Sequence, residues 1–252
     1  MRIAIFGKKL EPEFTIYLSE IFTRLSESGT ELFCYQPFYV TLKEVYDISN
    51  VSFAGFFDQD NPFGEDMDML LSIGGDGTFL DAILCVQRSG VPIVGINTGR
   101  LGFLATIAPE EIPAAIHLIR QKAFTIEQMA VIRVETSGEL NDIFHYALND
   151  VTVLKTETSS LITIHAEVGK EYLTSYWADG LIVATPTGST AYSLSGGGPV
   201  IYPLCENLIL TPLCPHNLSM RPLVLPENKK IYLRVDSRSN DYILSLDSRA
   251  YK

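Results

Sequence analysis

Hydrophobic positions along the chain fall into two regimes. In the first half, short unbroken apolar runs alternate with amphipathic stretches, at residues 2–6, 13–28, 69–73, 79–88, 91–96 and 110–121. Unbroken runs suit strands buried on both faces, and apolar residues three and four apart suit helices that cover those faces. The order predicts βαβ units on a mainly parallel sheet. From about Ala123 the pattern becomes an alternation of β-branched and polar residues, at 132–135, 151–155, 161–167, 230–235 and 241–246. That half reads as antiparallel sheets. The expected fold is therefore an α/β N-terminal domain with a mainly parallel sheet over residues 1–124, followed by an all-β, sandwich-like domain over 125–252. The boundary, within residues 122–126, rests on the change of period, since no linker composition marks it. Residues 50–68, with Asp58, Asp60, Pro62, Gly64 and Glu65, read as a mobile acidic loop and a candidate lid, and residues 211–216, with Pro212 and Pro215, as a loop.

Composition narrows the function classes. With 252 residues, 46% hydrophobic and 19% charged, the chain can bury a full core. A formal net charge of −11 repels nucleic acid and anionic membranes over most of the surface, so neither is an expected partner. An anionic nucleotide can still bind where backbone N–H groups, a helix N-terminus or a metal outweigh that field. No run is long enough to span a bilayer, and Met1 to Leu10 lacks the features of a signal peptide, so the expected compartment is the cytoplasm. Cys34, Cys85, Cys205 and Cys214 are scattered without metal-ligand spacing; they read as reduced core thiols, and no protein-held metal is expected.

The strongest local feature is LLSIGGDGT at residues 70–78, an apolar strand running into a glycine turn and a helix that begins near Thr78. Gly74, Gly75 and Gly77 let the backbone approach a phosphate, while the free amides at the helix start, including that of Thr78, attract its charge. Asp76 is awkward among phosphate-binding amides. A metal, a hydroxyl proton or a helix cap would each explain it. The string has neither the lysine of a Walker A loop nor the GxGxxG spacing of a dinucleotide fold.

Three further clusters bear on the acceptor. GINTGRLGFL at residues 95–104 is a second glycine-punctuated turn, where Leu101 and Phe103 either join the core or lie against a planar ligand, and Arg100 contacts phosphate or solvent. Asn149 and Asp150 open an apolar strand. They form a turn, or else Asp150 accepts hydrogen bonds from vicinal ribose hydroxyls while Asn149 reads an adenine edge. Finally Ala178, Asp179 and Gly180 precede TPTGSTAYSLSGGGP at residues 185–199. Thr187, Thr190, Ala191, Tyr192 and Ser195 sit in a loop whose neutral donors and acceptors suit a hydroxyl-rich nucleoside with a carboxamide.

GGDGT is shared by the NAD kinases, the diacylglycerol and sphingosine kinases and, more distantly, the phosphofructokinases. With INTGRLGF, the Asn149–Asp150 pair, and ADG followed by TPTGSTAYSLSGGGP in this order, the chain resembles the NAD kinases, bacterial type, from residue 1 to about 247. The resemblance implies ATP-dependent phosphorylation of the 2′-hydroxyl of the adenosine ribose of NAD, with Mg²⁺ accompanying ATP. It places the Asp76 carboxylate and Gly77 beside the acceptor, Gly74, Gly75, Gly77 and Thr78 at the phosphates, and Asp179 at the NAD. It also implies NAD held between the two domains, and a homodimer or homotetramer. Two departures stand out: the family's Asn-Glu is Asn149–Asp150 here, and its Asp-Gly near the C-terminal strand is Asp247–Ser248. Similar proteins generally continue beyond the position of Lys252 with a segment returning to the first domain. Competing expectations are a lipid kinase, which shares GGDGT but needs a membrane-seeking face, and an NAD-binding sensor without turnover.

Overall fold

The unbroken apolar runs become strands with no solvent face. In this computed structural model, which describes residues 1–26, 29–46, 48, 51–64, 66–99, 102–136, 145–158, 160–239 and 241–252, five strands form one parallel sheet. They are β1 (Arg2–Gly7), β2 (Glu31–Tyr35), β3 (Gly55–Phe57), β4 (Met69–Gly74) and β5 (Ile93–Asn97), in the order β3-β2-β1-β4-β5. Helices α1 (Thr15–Ser26), α2 (Gln36–Glu44), α3 (Asp76–Val86) and α4 (Ile112–Arg120) cover it. Period-two alternation in β1 sorts the core. Ile3 and Ile5 pack with Leu18, Ile21, Phe22 and Leu25 of α1 and with Ile112, Ile116 and Ile119 of α4, whereas Ala4 and Phe6 pack with Ala82, Cys85 and Val86 of α3. The α1 contacts recur at the spacing of one helical face, and each fully buried aliphatic side chain contributes about 1.5–3 kcal/mol.

The strand order reverses direction between β1 and β4. In sheets of this kind, ligands bind beyond the C-terminal strand ends at such a switch point. The end of β4 there is the glycine turn that opens α3.

In the second half, strands β6 (Ile132–Arg133) and β7 (Tyr146–Ala147) pair with each other. β8 (Asp150–Lys155), β9 (Ile162–Val168), β10 (Glu171–Ala178) and β11 (Gly180–Ala184) lead to a short helix α5 (Tyr192–Ser195). β12 (Asn207–Leu213), β13 (Leu223–Pro226), β14 (Ile231–Asp236), β15 (Tyr242–Leu246) and β16 (Arg249–Tyr251) complete the described strands. Two antiparallel sheets, β13-β12-β11-β8-β15-β16 and β10-β9-β14, enclose a core of Val151, Val153, Ile164, Tyr176, Leu181, Leu210 and Leu246. The opposite face of the larger sheet carries Asp150, Thr152, Ile182, Ala184, Ile209 and Thr211 in register, and residues 185–201 lie against it. The chain divides into two compact units, Met1–Ile126 and Glu127–Lys252.

Several local expectations change. Residues 50–68 include strand β3, Phe57 and Met67 are buried, and the Asp68 Oδ2 accepts the Arg2 N–H at 2.8 Å, so this stretch is sheet edge as much as loop. Residues 211–213 belong to β12 rather than to a loop. All four cysteines are free. Burial pushes the Cys34 and Cys85 thiols up to about 12, but Cys205 is half-buried and Cys214 is exposed, so only the first two are core thiols.

Candidate active site

Helix α3 begins at Asp76, with Gly75 as its cap residue in extended conformation and no side-chain cap. Asp76 therefore does not cap the helix through its side chain. Its carboxylate reaches instead to the turn after β5: Oδ2 accepts the Phe103 N–H at 2.8 Å, and Oδ1 accepts those of Leu104 and Ala105 at 2.9 and 3.0 Å. Three of the roughly four lone-pair positions of a carboxylate are thus taken, and one on Oδ2 remains. Gly102 makes this approach possible, since a Cβ there would lie 2.2 Å from Asp76 Oδ1. Around the clamp the surface is open: Gly75 and Gly77 are exposed, Thr78 is half-buried, and a Cβ on either glycine would meet nothing. Gly74 is buried, packed on the Thr78 side chain. Phe103 presents its ring to solvent at 69% exposure. Arg100 and Leu101, the other candidates in that turn, lie outside the described residues.

The second unit brings Asn149 and Asp150 against the residue 185–199 segment. The Thr185 hydroxyl donates to Leu148 O at 2.5 Å, and Thr185 N donates to Asn149 O at 2.9 Å. Gly188 crosses the Asn149 carbonyl so closely that a Cβ would sit 1.9 Å from its oxygen. Ser189 and Ser193 are spent on scaffolding, Ser189 with the Ile201 backbone and Ser193 with Thr211 Oγ1 at 2.8 Å. Thr190 Oγ1 donates to Thr187 O at 3.3 Å, Ala191 is half-buried, and Tyr192 and Ser195 are exposed. Thr187 Oγ1 is buried with no hydrogen-bond partner, and the Asn149 amide makes no side-chain hydrogen bond among the described residues. Buried polar atoms without partners are rare, and Thr187 Oγ1 shares that state with Ser72 Oγ and the core Tyr176 hydroxyl among the described residues.

Burial pushes the Asp150 carboxyl up from 3.8 to about 6; the hydrogen bond donated by Thr152 Oγ1 at 2.9 Å works against the rise, and the charge of Asp247 adds to it. Asp179, half-buried, pairs with Lys155 at 2.5 Å. The described residues contain no group of three or more His, Cys, Asp or Glu side chains able to hold a metal.

Both halves of the chain match known families. Residues 3–124 match the ATP-NAD kinase N-terminal domain, and residues 148–251 the ATP-NAD kinase C-terminal domain. The chain belongs to the NAD kinase family. Among NAD kinases, that of Flavobacterium psychrophilum is 42% identical over 253 residues, covering 99% of this chain and 85% of the relative. That of Bacteroides fragilis is 42% identical over 247 residues, covering 98% and 84%. Yeast NADH kinase complexed with NADH superposes with a TM-score of 0.83 at 26% identity, covering all of this chain and 76% of the other. An NAD kinase from Archaeoglobus fulgidus in complex with ATP gives 0.75 at 26% identity, covering all of this chain and 86% of the other.

In this NAD kinase family member, the sequence reading noted Asp247 only as part of a departure from Asp-Gly and gave it no role. Asp247 accepts the backbone N–H groups of Leu148, Asn149 and Asp150 at 2.7, 2.8 and 3.2 Å. Its own φ is +46° and that of Ser248 is +68°, which makes a tight hairpin between Leu246 and Arg249. Glycine fits the second position of such a turn best, which explains the physical sense of Asp-Gly there. The Asp-turn signal between two strands was present, but nothing in the sequence tied it to residues 148–150.

Proposed function

We propose that the chain transfers the γ-phosphoryl group of ATP to the 2′-hydroxyl of the adenosine ribose of NAD, giving NADP and ADP. The observation that carries this reading is the Asp76 carboxylate, fixed by three amides and set between two exposed glycines in the turn that opens α3. Asp76 orients the acceptor hydroxyl through its remaining lone pair and takes its proton as the O–P bond forms. Phosphoryl transfer is largely dissociative, so the hydroxyl loses its proton late and orientation outweighs basicity.

Gly74, Gly75, Gly77 and Thr78 receive phosphate groups at the amino end of α3, where backbone amides and the helix dipole favour negative charge. Mg²⁺ accompanying ATP would neutralise charge on the phosphates, with the amino end of α3 supplying the protein's share of that neutralisation. The glycine turn of residues 74–78 thus serves the phosphates and presents Asp76 to the acceptor, while residues 125–252 supply most of the contacts to NAD. Asn149 reads the adenine edge, Asp150 accepts from ribose hydroxyls, and Thr187 Oγ1 finds its partner on the ligand. Thr190, Ala191, Tyr192, Ser195 and Asp179 complete the nucleoside pocket, and Leu101 and Phe103 lie against a ring. Asp150→Ala and Asp179→Ala should raise KM for NAD more than they lower kcat, because both residues hold substrate in ground and transition states alike.

The enzyme acts in the cytoplasm as a homodimer or homotetramer, without nucleic acid or membrane. No helix among the described residues is long and apolar enough to cross a membrane. Exposed Tyr172, Trp177 and Tyr232 on the outer face of the three-stranded sheet support self-association. The test is transfer of γ-labelled phosphate from ATP in the presence of Mg²⁺ with NAD or micellar diacylglycerol as acceptor. Label in NADP supports the assignment; label in the lipid and none in NADP overturns it.

A further inference from the structure

We infer that Asp247 is a positioning residue for NAD: its carboxylate fixes the backbone of Leu148, Asn149 and Asp150 so that the Asn149 and Asp150 side chains meet the adenosine. The inference rests on the functional reading above. The pairing of β15 with β8 ends at the rung Leu246–Val151, so residues 148–150 lie beyond the reach of the ladder on that side. Asp247 continues the pairing past that point with a side chain. Its oxygens accept three successive amides, and its own N–H donates to Asp150 O at 3.1 Å.

The carbonyl side of the same stretch is held separately, Leu148 O by the Thr185 hydroxyl and Asn149 O by Thr185 N. Every backbone group of the strand entry that points to either neighbour is therefore satisfied, which leaves the two side chains as the variable part. The Asp247 side chain is 5% exposed, and the Arg249 guanidinium, anchored on the Tyr146 and Leu246 carbonyls at 2.6 and 3.0 Å, lies 3.9 Å from its Oδ2. A buried carboxylate is retained at a cost unless hydrogen bonds and a countercharge compensate it, and here both are built in. The device is the same as at Asp76, where one carboxylate holds the three amides of Phe103, Leu104 and Ala105. Two of the proposed ligand-facing turns thus have one aspartate each as their backbone clamp.

The test compares the wild-type protein with Asp247→Ala, Asp247→Asn and Val153→Ala. Val153 lies in the sandwich core, so its truncation reports the effect of general destabilisation of the same sheet. Two readouts are taken: amide hydrogen exchange at Leu148, Asn149 and Asp150 in the free protein, and steady-state constants for both substrates. Asp247→Ala should speed exchange at these three amides by about tenfold or more relative to Val153, and raise KM for NAD by about tenfold, with KM for ATP within about twofold. Asp247→Asn, which keeps one acceptor oxygen, should fall between and rescue part of the loss, and it carries the test if the alanine variant does not fold. Unchanged exchange at the three amides overturns the clamp. Faster exchange with a KM for NAD no higher than that of Val153→Ala overturns the positioning role. A wild type that makes no NADP defeats the functional reading, and the positioning role with it, while the exchange result still decides the clamp by itself.

Discussion

Replacing Asp150 by asparagine should stabilise the free protein at neutral pH while weakening its hold on NAD. Asp150 is buried at 6% exposure, accepts one side-chain hydrogen bond, and lies near a second carboxylate. Its carboxyl is raised from 3.8 to about 6 in the fold. Between those values the folded state binds more protons than the unfolded state, so stability is fully present below 3.8 and falls as pH rises through about 6. The whole loss is about 3 kcal/mol at 1.36 kcal/mol per unit, with roughly half of it still to come above pH 5. Asparagine does not titrate, and its carbonyl oxygen can keep the bond from Thr152. Thermal unfolding of the ligand-free protein should therefore show Asp150→Asn above the wild type at pH 8 by on the order of 10 °C, with the gap about halved at pH 5. The same variant should raise KM for NAD, since a ribose hydroxyl donates less strongly to an amide oxygen than to a carboxylate. A variant less stable than the wild type at pH 8, or a gap that does not change with pH, would refute the reasoning.

Gly102→Ala places a Cβ 2.2 Å from Asp76 Oδ1, so the carboxylate must leave its amides; kcat should fall by about 10²-fold, the usual cost of a misplacement near 1 Å, as measured by NADP formation. Wild-type turnover in that variant would mean the clamp is dispensable. Ser248→Gly relieves a serine held at φ +68° and should raise stability by about 1 kcal/mol in urea titration, with kinetics unchanged. A loss of stability would show that the Ser248 side chain contributes more than its backbone conformation costs.

Much of the fold was legible because burial and period agree. β1 and β4 are buried on both faces and read as apolar runs, and β9 and β14 alternate in burial as they do in sequence; β8 alternates in sequence although its first four residues are all buried, and it and β15 were still placed within about a residue or two. The stretches that escaped have mixed signals. α2 has only Phe38 and Leu42 buried and follows β2 directly, so the aromatics Phe33, Tyr35, Phe38 and Tyr39 run across the strand–helix junction without a change of period to mark it. β12 contains Pro212, which disfavours a strand locally; tertiary pairing with β11 overrides it. At the candidate site, the glycine turn and the residue 185–199 segment stood out in the sequence because their residue types and spacing are unusual. Asp76 could be singled out but not explained, because its partners lie 27 to 29 residues away. The partners of Asp247, a residue noted only for its departure from Asp-Gly, were hidden for the same reason, at a separation of 97 to 99. Side chain to backbone contacts at such distances leave no period and no spacing in the sequence.

The central claim is that Asp76 handles the acceptor hydroxyl, and a single comparison tests it: NADP formation and NAD binding for the wild type and Asp76→Asn, each with ATP and Mg²⁺. The account predicts NADP from the wild type, a kcat about 10²–10⁴ lower in the variant, and NAD affinity within a few-fold of the parent. An Asp76→Asn enzyme that turns over at the wild-type rate would contradict it.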